Sequence, residues 1–326
     1  MQDLIEERAL MKVVYLGPLA RDLVKSSLAG SPFEVVPVET DSEIRDVMAD
    51  ASVLVTTGPM YTQEVAAATR TARNLQLIQL TSAGFENVEK FGAPPGTRVC
   101  NAADAWSIAV AEHAMAMMLM LGRRVVDAIG QQRERQWKRS YADQCRSLYG
   151  KTLLIVGYGR IGKQIARRAR AFSMKVVAVT RGLERDEHVD ELVGIDDLHD
   201  ALGRADVVVA AVPSTPRTVN MFNAAAFERF KPGALFINVA RGDVVDAADL
   251  EVALREERLG GAAIDVTAPE PLPSDSPLWA APNLIITPHV AGAVPDLVPL
   301  NIRDVVVENL GRLASGRVLE NLVAID

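Results

Sequence analysis

The sequence predicts an α/β protein with two doubly wound parallel-sheet domains, and three observations lead to this fold class. Short apolar runs alternate with helical patterns from residue 11 to about residue 100, and the alternation restarts at Thr152. Alternation of this kind is typical of parallel sheets covered by helices. The stretch from about 296 to 326 returns to a helical pattern. We expect this stretch to pack on the first domain, so that the second domain is an insertion.

The predicted first domain comprises residues 1–103 and 296–326. Its strands are expected at five apolar runs, namely Lys12–Leu16, Phe33–Val38, Ser52–Thr57, Leu75–Thr81 and Arg98–Cys100. Helical spacing at 41–50 and 62–70 places helices between some of these strands. The predicted second domain comprises residues 104–295. Its six strands are expected at Thr152–Val156, Lys175–Thr180, Val207–Val212, Ala234–Val239, Ala262–Val266 and Leu284–Thr287.

The segment 104–122 has a helical pattern that is apolar nearly all round. A helix of this kind is expected to be buried between layers or domains. The longest uninterrupted apolar runs, such as the eight residues Ala114–Leu121, are much shorter than the ~20 residues that span a bilayer. The N-terminus has no apolar region typical of a signal peptide. We therefore expect no membrane association.

Composition argues against two further classes of function. The net charge of −7 argues against nucleic acid as the main partner. The two cysteines, Cys100 and Cys145, form no disulfide or metal-binding pattern, which fits a reducing cytoplasm. We expect no metal site, and the hydrophobic and charged fractions of 49% and 24% are ordinary for a globular protein.

A glycine-rich motif, GYGRIG, begins at Gly157, directly after an apolar strand and before an amphipathic helix. This context is the one in which such a motif binds a dinucleotide. Gly157 permits the tight turn, Gly159 lets the backbone approach a pyrophosphate, and Gly162 lets helix and strand pack closely. Arg160 and Ile161 would supply backbone N–H groups at the helix N-terminus. The motif predicts a Rossmann nucleotide-binding domain; the alternative is a turn without a ligand. We expect the domain into which it is inserted to be a flavodoxin-like substrate domain.

The residues after the next predicted strand bear on cofactor choice. A carboxylate is usual here in NAD-binding sites, where it accepts hydrogen bonds from the ribose 2′-hydroxyl. This chain has Thr180 and Arg181 instead, and no carboxylate follows before Glu184. An Arg would pair with a 2′-phosphate, which an Asp would repel. The sequence therefore predicts NADP(H) in preference to NAD(H), unless Arg181 is simply a solvated loop residue.

Three charged residues, Arg241, Glu270 and His289, each follow a predicted strand of the second domain. A guanidinium can bind a carboxylate through two hydrogen bonds. An imidazole can give and take a proton near neutral pH, and a carboxylate beside it would orient the ring and favour its protonated form. Taken singly, Glu270 and His289 are more often structural or solvated, and Arg241 could be a surface residue. Together they indicate a site that binds an anion and moves a proton.

The flanking sequences resemble the D-isomer-specific 2-hydroxyacid dehydrogenase family, in its glyoxylate/hydroxypyruvate reductase-like and phosphoglycerate dehydrogenase-like members. The matching stretches are VAEHAMAMML (110–119), GKTLLIVGYGRIG (150–162), AVPSTPRT (211–218), FKPGALFINVARGDVVD (230–246), AAIDVTAPEPLP (262–273) and SPLWAAPNLIITPHVAG (276–292). The resemblance implies that Arg241, Glu270 and His289 are the catalytic set.

The resemblance also implies roles for residues that the motifs alone leave unassigned. Asp265 would hold the nicotinamide carboxamide, and the remaining residues expected to line the cofactor are Val212, Pro213 and Ala240. In the first domain, LTSAGFENVE (80–89) resembles the family's substrate loop. The backbone N–H groups of this loop would bind the substrate carboxylate together with Arg241, and they belong to Ser82, Ala83 and Gly84. The alternative for this loop is an ordinary turn after a strand.

The expected activity is hydride transfer between NADP(H) and a small D-2-hydroxy acid or its 2-oxo acid, with reduction of glyoxylate or hydroxypyruvate the expected reaction. The alternatives are a nicotinamide-nucleotide-sensing binding protein of the same fold and an NAD-dependent dehydrogenase of another hydroxyacid. The resemblance further implies a homodimer, with 104–140 as the candidate interface. Three positions have open roles: Met60 could line the pocket or only pack, Trp106 is expected to pack between domains, and Ala293–Pro295 departs from the usual family pattern.

Overall fold

The structure is a computed structural model that describes residues 10–182 and 186–325. Glu184, the first carboxylate after Arg181, lies outside the described residues. The chain separates into two compact units. The first unit comprises Met1–Trp106 and Val294–Asp326, and the second comprises Ser107–Ala293.

The first unit contains a five-stranded sheet in which every paired strand is parallel. Its strands are β1 (Met11–Leu16), β2 (Phe33–Val38), β3 (Val53–Thr56), β4 (Leu77–Leu80) and β5 (Arg98–Cys100). Its helices are α1 (Arg21–Ser27), α2 (Asp41–Val47), α3 (Gln63–Thr69), α4 (Glu86–Phe91) and the late helix α11 (Val298–Ala314). The strand order β2-β1-β3-β4-β5 is the flavodoxin-like order.

Helix α11 packs on the first unit because its apolar stripe is buried there and one of its amide side chains is hydrogen-bonded there. Val306 and Leu310 on this stripe are fully buried. The buried side chain of Asn309 donates from Nδ2 to Gln79 Oε1 of β4 over 2.7 Å. Because a buried amide must keep its hydrogen-bond partner, this contact specifies one docking position for the helix. The C-terminal segment therefore completes the first unit.

The second unit contains a seven-stranded, wholly parallel sheet. Its strands are β6 (Thr152–Val156), β7 (Lys175–Val179), β8 (Glu191–Val193), β9 (Val207–Ala210), β10 (Ala234–Asn238), β11 (Leu259–Ile264) and β12 (Leu284–Ile286). Numbered within the unit, the strands read 3-2-1-4-5-6-7 from one edge, which extends the Rossmann order by one strand. The order reverses between β6 and β9, where this fold binds its ligands.

The helices of the second unit cover the sheet on both faces. They are α5 (Ala103–Gly122, assigned to this unit from Ser107 onward), α6 (Val125–Arg133), α7 (Arg160–Ala171), α8 (Leu198–Arg204), α9 (Ala224–Phe227) and α10 (Ala247–Arg255). In the described part of the chain, one helical stretch, Asp104–Gly122, is long and apolar enough to cross a membrane, but 61% of it is buried. It packs in one cluster with the strand residues Leu153 and Ile155. A buried core helix accounts for this composition.

The fold class predicted from the sequence is confirmed, with two corrections in the second unit. Strand β8 was not predicted, because it has three residues and only Val193 is buried. Strand β11 begins at Leu259 rather than at residue 262. Glycines at the start of β11 conceal the strand pattern. They are needed there, since a Cβ on Gly260 would lie 2.4 Å from the carbonyl oxygen of Gly233.

Candidate active site

The glycine motif forms a turn between β6 and α7 in which two positions exclude any side chain. Gly157 has a φ of +103°, and a Cβ there would lie 2.5 Å from the Ala211 carbonyl oxygen. A Cβ on Gly162 would lie 2.4 Å from the Gly157 carbonyl oxygen. Gly159 differs, since no heavy atom lies within 4 Å of the position of its Cβ. The turn is therefore closed at its two ends and open at its centre, which fits a bound pyrophosphate.

Helix α7 presents its N-terminus at the open centre of this turn. Its first backbone hydrogen bond runs from Lys163 N to Gly159 O over 2.9 Å. Across residues 10–182 and 186–325, the N–H groups of Ile161 and Gly162 have no acceptor. Unpaired N–H groups at a helix N-terminus, together with the helix dipole, favour an anion. These residues therefore fit the phosphates of a dinucleotide.

The other predicted cofactor residues follow strands on both sides of the turn. Val212 comes after β9, and its Cγ1 lies 2.9 Å from the position of a Cβ on Gly157. The carbonyl of the adjacent Pro213 accepts a 2.6 Å hydrogen bond from Thr218 Oγ1. Buried Ala240 follows β10, and its N–H donates to Asn238 Oδ1 over 3.0 Å. The predicted cofactor residues at these two positions thus lie at the carboxyl edge of the sheet.

Thr180 and Arg181 follow β7 at the same edge. The N–H of Thr180 donates to the Val193 carbonyl over 3.1 Å, which ties this position to β8. Arg181 is exposed. It forms no ion pair with any residue that the structure describes. An exposed guanidinium in this position fits an anionic ligand at the sheet edge.

Parallel pairing places the three predicted catalytic segments side by side. Strands β10, β11 and β12 are neighbours, and Asn238, Ile264 and Ile286 are aligned across them. Arg241 and His289 each follow the aligned residue of their own strand by three positions. Because carboxyl ends of parallel strands share one edge of a sheet, these segments lie together.

Glu270 and His289 form a close pair. Glu270 Oε2 lies 2.8 Å from His289 Nδ1, and Glu270 Oε1 accepts a 3.0 Å hydrogen bond from the N–H of Thr267. The pair is solvent-accessible, with His289 more exposed than Glu270. Within the described ranges, Nε2 of His289 has no hydrogen-bond partner. The carboxylate therefore fixes one ring nitrogen and leaves the other for a ligand.

The backbone around His289 is held in an unusual conformation. His289 has a φ of +53°, a left-handed value that is uncommon outside glycine. Its N–H faces two acceptors, the Asp265 carbonyl at 2.7 Å and the Thr287 carbonyl at 3.0 Å. Strained residues of this kind persist when the surroundings over-determine them, and they cluster at functional sites.

Asp265 organises the segment that carries His289. Its side chain is 2% exposed. Oδ1 accepts hydrogen bonds from Thr287 Oγ1 at 2.6 Å and Val290 N at 2.9 Å, and Oδ2 accepts one from Ala291 N at 2.9 Å. The resemblance implied a role toward the nicotinamide for Asp265, which stays a prediction. The geometry adds a second role, in which Asp265 shapes the His289 segment.

Arg241 lies in extended backbone at the end of β10, against the segment that leads to Glu270. One guanidinium nitrogen, Nη1, donates to the Ala240 carbonyl over 2.9 Å. The following Gly242 is in direct contact with the Thr267–Ala268 peptide, because a Cβ there would lie 2.0 Å from the Thr267 carbonyl carbon. The Arg241 and Glu270 segments are therefore packed backbone against backbone.

In the predicted substrate loop of the first unit, the carbonyl groups and the N–H groups differ in their hydrogen bonding. Four consecutive carbonyls accept protein hydrogen bonds: Thr81 O from Trp106 Nε1 (2.8 Å), Ser82 O from Ala102 N (2.9 Å), Ala83 O from Asn101 Nδ2 (2.9 Å) and Gly84 O from Ser82 Oγ (2.8 Å). The N–H groups of Ser82, Ala83 and Gly84 donate to nothing that the structure describes. A loop with its carbonyls engaged and its N–H groups available is suited to an anion.

The residues with open roles have structural contacts. Trp106 supports the substrate loop through its indole N–H. Met60 is half-buried against the core of the first unit, and its Sδ lies 2.9 Å from the position of a Cβ on Gly17. Ala293 N donates to the Val290 carbonyl over 2.8 Å. Contact with a ligand stays a prediction for all three positions.

Cys100 is not a candidate nucleophile. Burial raises the pKa of its thiol to about 11, and the nearby Arg98 lowers it only in part. The nucleophilic form of a cysteine is the thiolate, which is scarce at neutral pH when the pKa is this high.

Two residues of the site were missed by sequence reasoning. His113 on α5 lies with Nε2 3.1 Å from Thr287 Oγ1 and 3.6 Å from Asp265 Oδ1. The signal that could have revealed His113 is an imidazole on a helix whose surroundings are almost entirely apolar. Thr287 gave no signal, because it reads as the end of a strand.

Fold and site together define a dinucleotide-binding α/β protein with an imidazole–carboxylate pair and an arginine at the same edge of the sheet. Residues 115–291 match the family model described as D-isomer specific 2-hydroxyacid dehydrogenase, NAD binding domain.

Curated relatives and a solved structure extend this match beyond the second unit. The chain is 33% identical over 319 residues to a D-3-phosphoglycerate dehydrogenase of Methanocaldococcus jannaschii, covering 96% of this chain and 59% of the relative. It is 33% identical over 280 residues to a glyoxylate reductase of Korarchaeum cryptofilum, covering 84% and 82%. A D-isomer specific 2-hydroxyacid dehydrogenase family protein from Aeromonas salmonicida has a TM-score of 0.86 at 29% identity, covering 98% and 100%. The chain belongs to the D-isomer specific 2-hydroxyacid dehydrogenase family.

Proposed function

We propose that the chain is an NADP(H)-dependent oxidoreductase that reduces small 2-oxo acids to D-2-hydroxy acids, with glyoxylate or hydroxypyruvate as substrate. The observation that carries the proposal is the 2.8 Å pair of Glu270 and His289, on the sheet edge that also bears Arg241. The second unit would bind the nucleotide, and the first unit would contribute to substrate binding. The two relatives described above, a phosphoglycerate dehydrogenase and a glyoxylate reductase, support this class of substrate.

The proposed role of His289 is to protonate the oxygen that is reduced. A reduced nicotinamide nucleotide, held by its pyrophosphate at the glycine turn, would supply the hydride. His289 donates its Nε2 proton to the substrate oxygen, while its Nδ1–H donates to Glu270. Glu270 thereby keeps the ring oriented, with the transferable proton at Nε2. General acid catalysis of this kind contributes roughly 10²–10⁴-fold in rate.

The proposed role of Arg241 is to bind the substrate carboxylate and to stabilise charge on the reacting oxygen. A guanidinium matches a carboxylate through two parallel hydrogen bonds. Fixed positive charge near a developing oxyanion is usually a large contribution to catalysis. For the first unit, we propose that the N–H groups of Ser82–Gly84 bind an anionic group of the substrate.

The cofactor preference is proposed from Arg181. This side chain is exposed, follows β7, and has no carboxylate partner among the described residues, so it can pair with a ribose 2′-phosphate. The residues proposed to hold the rest of the nucleotide are Gly157, Gly159, Arg160, Ile161, Gly162, Thr180, Val212, Pro213, Ala240 and Asp265. The ratio of kcat/KM for NADPH and NADH tests the preference, and a tenfold preference for NADH would overturn it.

A panel of 2-oxo acids, assayed with NADPH and with NADH, tests the proposed function. We expect oxidation of NADPH with at least one small substrate of the panel, and a D-configured product. An absence of turnover across the panel, combined with tight nucleotide binding, would reject the enzyme and favour a nucleotide-sensing protein. Turnover with NADH and a larger hydroxyacid would instead favour an NAD-dependent dehydrogenase.

We further propose that the chain forms a homodimer with its interface in the region 104–140. In this region Trp137 is 99% exposed, and Val126 and Ile129 add exposed apolar surface. Exposed apolar surface of this extent is typical of an interface. Light scattering should give twice the chain mass for the wild type and a lower mass for Trp137→Arg; a monomeric wild type would overturn the proposal.

A further inference from the structure

His113 is a largely buried polar residue that has a specific hydrogen-bond partner. It belongs to α5, whose neighbouring residues Ala111 and Ala114 are fully buried, and its own side chain is 17% exposed. Its Nε2 lies 3.1 Å from Thr287 Oγ1, which is 174 residues away in sequence. A buried polar group costs free energy unless it is hydrogen-bonded. The contact between α5 and the end of β12 therefore depends on this pair.

The donor and acceptor of each hydrogen bond between His113, Thr287 and Asp265 can be assigned by starting from the carboxylate of Asp265. A carboxylate can only accept, so the hydroxyl of Thr287 donates to Asp265 Oδ1 over 2.6 Å. The hydroxyl has one hydrogen, and its oxygen therefore faces His113 as an acceptor. Nε2 of His113 must then carry a hydrogen. Donation runs in one direction, from His113 through Thr287 to Asp265.

Asp265 in turn fixes the backbone around His289 through hydrogen bonds. Its two carboxylate oxygens accept the N–H groups of Val290 and Ala291, both over 2.9 Å. Its carbonyl accepts the N–H of His289 over 2.7 Å. We propose that His113 and Thr287 are positioning residues, which hold Asp265 in the rotamer that keeps His289 in its left-handed conformation beside Glu270. This inference rests on the proposed function, because it assigns the positioning to a proton donor.

Two roles of the network make different predictions. If it positions His289, its loss lowers kcat by more than it weakens nucleotide binding, to which Asp265 is also proposed to contribute. If it serves only to aim Asp265 at the nicotinamide, its loss weakens nucleotide binding in the same measure as turnover. A misplacement of a catalytic group by about 1 Å can cost roughly 10²-fold in rate, so a displaced His289 would be visible in kcat.

The first test uses Thr287→Val, which removes the hydroxyl at nearly constant volume, and His113→Ala. We expect kcat with NADPH and the best 2-oxo acid to fall at least about tenfold, with KM for the acid within twofold of the wild type and a rise in the Kd for NADP that is smaller than the loss of kcat. His113→Gln retains an N–H donor and should recover part of the lost kcat. His199→Ala, at an exposed histidine, is the matched control and should leave kcat unchanged.

The second test does not need turnover. Hydrogen–deuterium exchange reports the protection of the amides of Val290 and Ala291, which depends on Asp265. We expect faster exchange there in Thr287→Val and His113→Ala, with the glycine turn at 157–162 unchanged. Unchanged exchange together with kcat within twofold of the wild type would overturn the proposal, as would a rise in the Kd for NADP that matches the loss of kcat. If the wild type has no turnover, the proposed function fails, and exchange alone decides whether the network holds the segment.

Discussion

The site in the second unit has a nucleotide end, the glycine turn at 157–162, and a proton-transfer end, the segment that carries His289. These two ends are built in different ways, although both follow parallel strands on one sheet edge. The glycine turn after β6 is shaped by exclusion, since Cβ atoms at Gly157 and Gly162 would lie 2.5 Å and 2.4 Å from backbone oxygens. The His289 segment after β12 is shaped by attraction, through three hydrogen bonds to the carboxylate of Asp265. The nucleotide end therefore tolerates no added side-chain atom at Gly157 or Gly162, whereas the proton-transfer end depends on each polar partner.

The largest effect is expected from adding one methyl group at the nucleotide end. Gly162→Ala places a Cβ 2.4 Å from the Gly157 carbonyl oxygen, so the turn must open. We expect the Kd for NADP to rise at least about 100-fold, because the N–H groups of α7 leave the pyrophosphate. Titration calorimetry measures this Kd. Gly311→Ala in α11, where no atom lies within 4 Å of the Cβ position, is the control and should bind normally.

A slightly smaller effect is expected from removing the charge at the proton-transfer end. Glu270→Gln keeps the shape of the side chain but weakens its hold on His289 Nδ1, so the ring loses its fixed orientation. We expect kcat to fall at least about tenfold with the Kd for NADP unchanged. Steady-state kinetics and nucleotide titration together check this. An equal change in both quantities would contradict the separation between the two ends.

A further test sharpens the nucleotide end. Arg181→Ala removes the charge proposed to pair with the 2′-phosphate, which should lower kcat/KM for NADPH about tenfold and leave the value for NADH unchanged. Arg73→Ala, at another exposed arginine, is the matched control. Equal losses with both cofactors would remove Arg181 from the choice between them.

The smallest effect is expected outside both ends, at Asp206 before β9. Its carboxylate accepts Thr152 N over 2.9 Å and Lys231 Nζ over 2.7 Å. Burial alone would raise the pKa of this carboxyl, but the Lys231 and Thr152 hydrogen bonds and nearby lysine charge together lower it. Asp206→Asn should therefore reduce the free energy of unfolding by about 1–2 kcal/mol at neutral pH, with kcat and nucleotide affinity unchanged.

The pH dependence of this stabilisation has a definite sign. A carboxyl whose pKa is lowered on folding stabilises the protein above its unfolded pKa, and the stabilisation is lost as the pH falls through the folded pKa. Chemical denaturation at pH 7 and in acid should show the difference between Asp206→Asn and the wild type shrink in acid. A difference that grows in acid would contradict the assigned direction of the shift.

Features that depend on local sequence patterns were predictable from the sequence. The turn at Gly157–Gly162 was predictable because its glycine spacing is a local pattern, and the contact of Gly162 with the Gly157 carbonyl joins residues only five positions apart. The alternation of strands and helices made the fold class readable for the same reason. Strand β8 was missed because three residues with one buried side chain carry almost no periodic signal.

The proton-transfer end was only partly predictable. Arg241, Glu270 and His289 were nominated by their place after strands and by family resemblance. The contact of His113 with Thr287 joins residues 174 positions apart, and no local pattern encodes it. The structuring role of Asp265 was likewise hidden, because it depends on N–H groups 25 and 26 residues away.

The most direct test of the central claim is the kcat/KM of His289→Ala for the best 2-oxo acid of the panel with NADPH, measured beside the Kd for NADP. We predict a loss of at least about 100-fold in kcat/KM with the Kd unchanged. A loss under threefold on a good substrate would remove His289 as the proton donor and contradict the account.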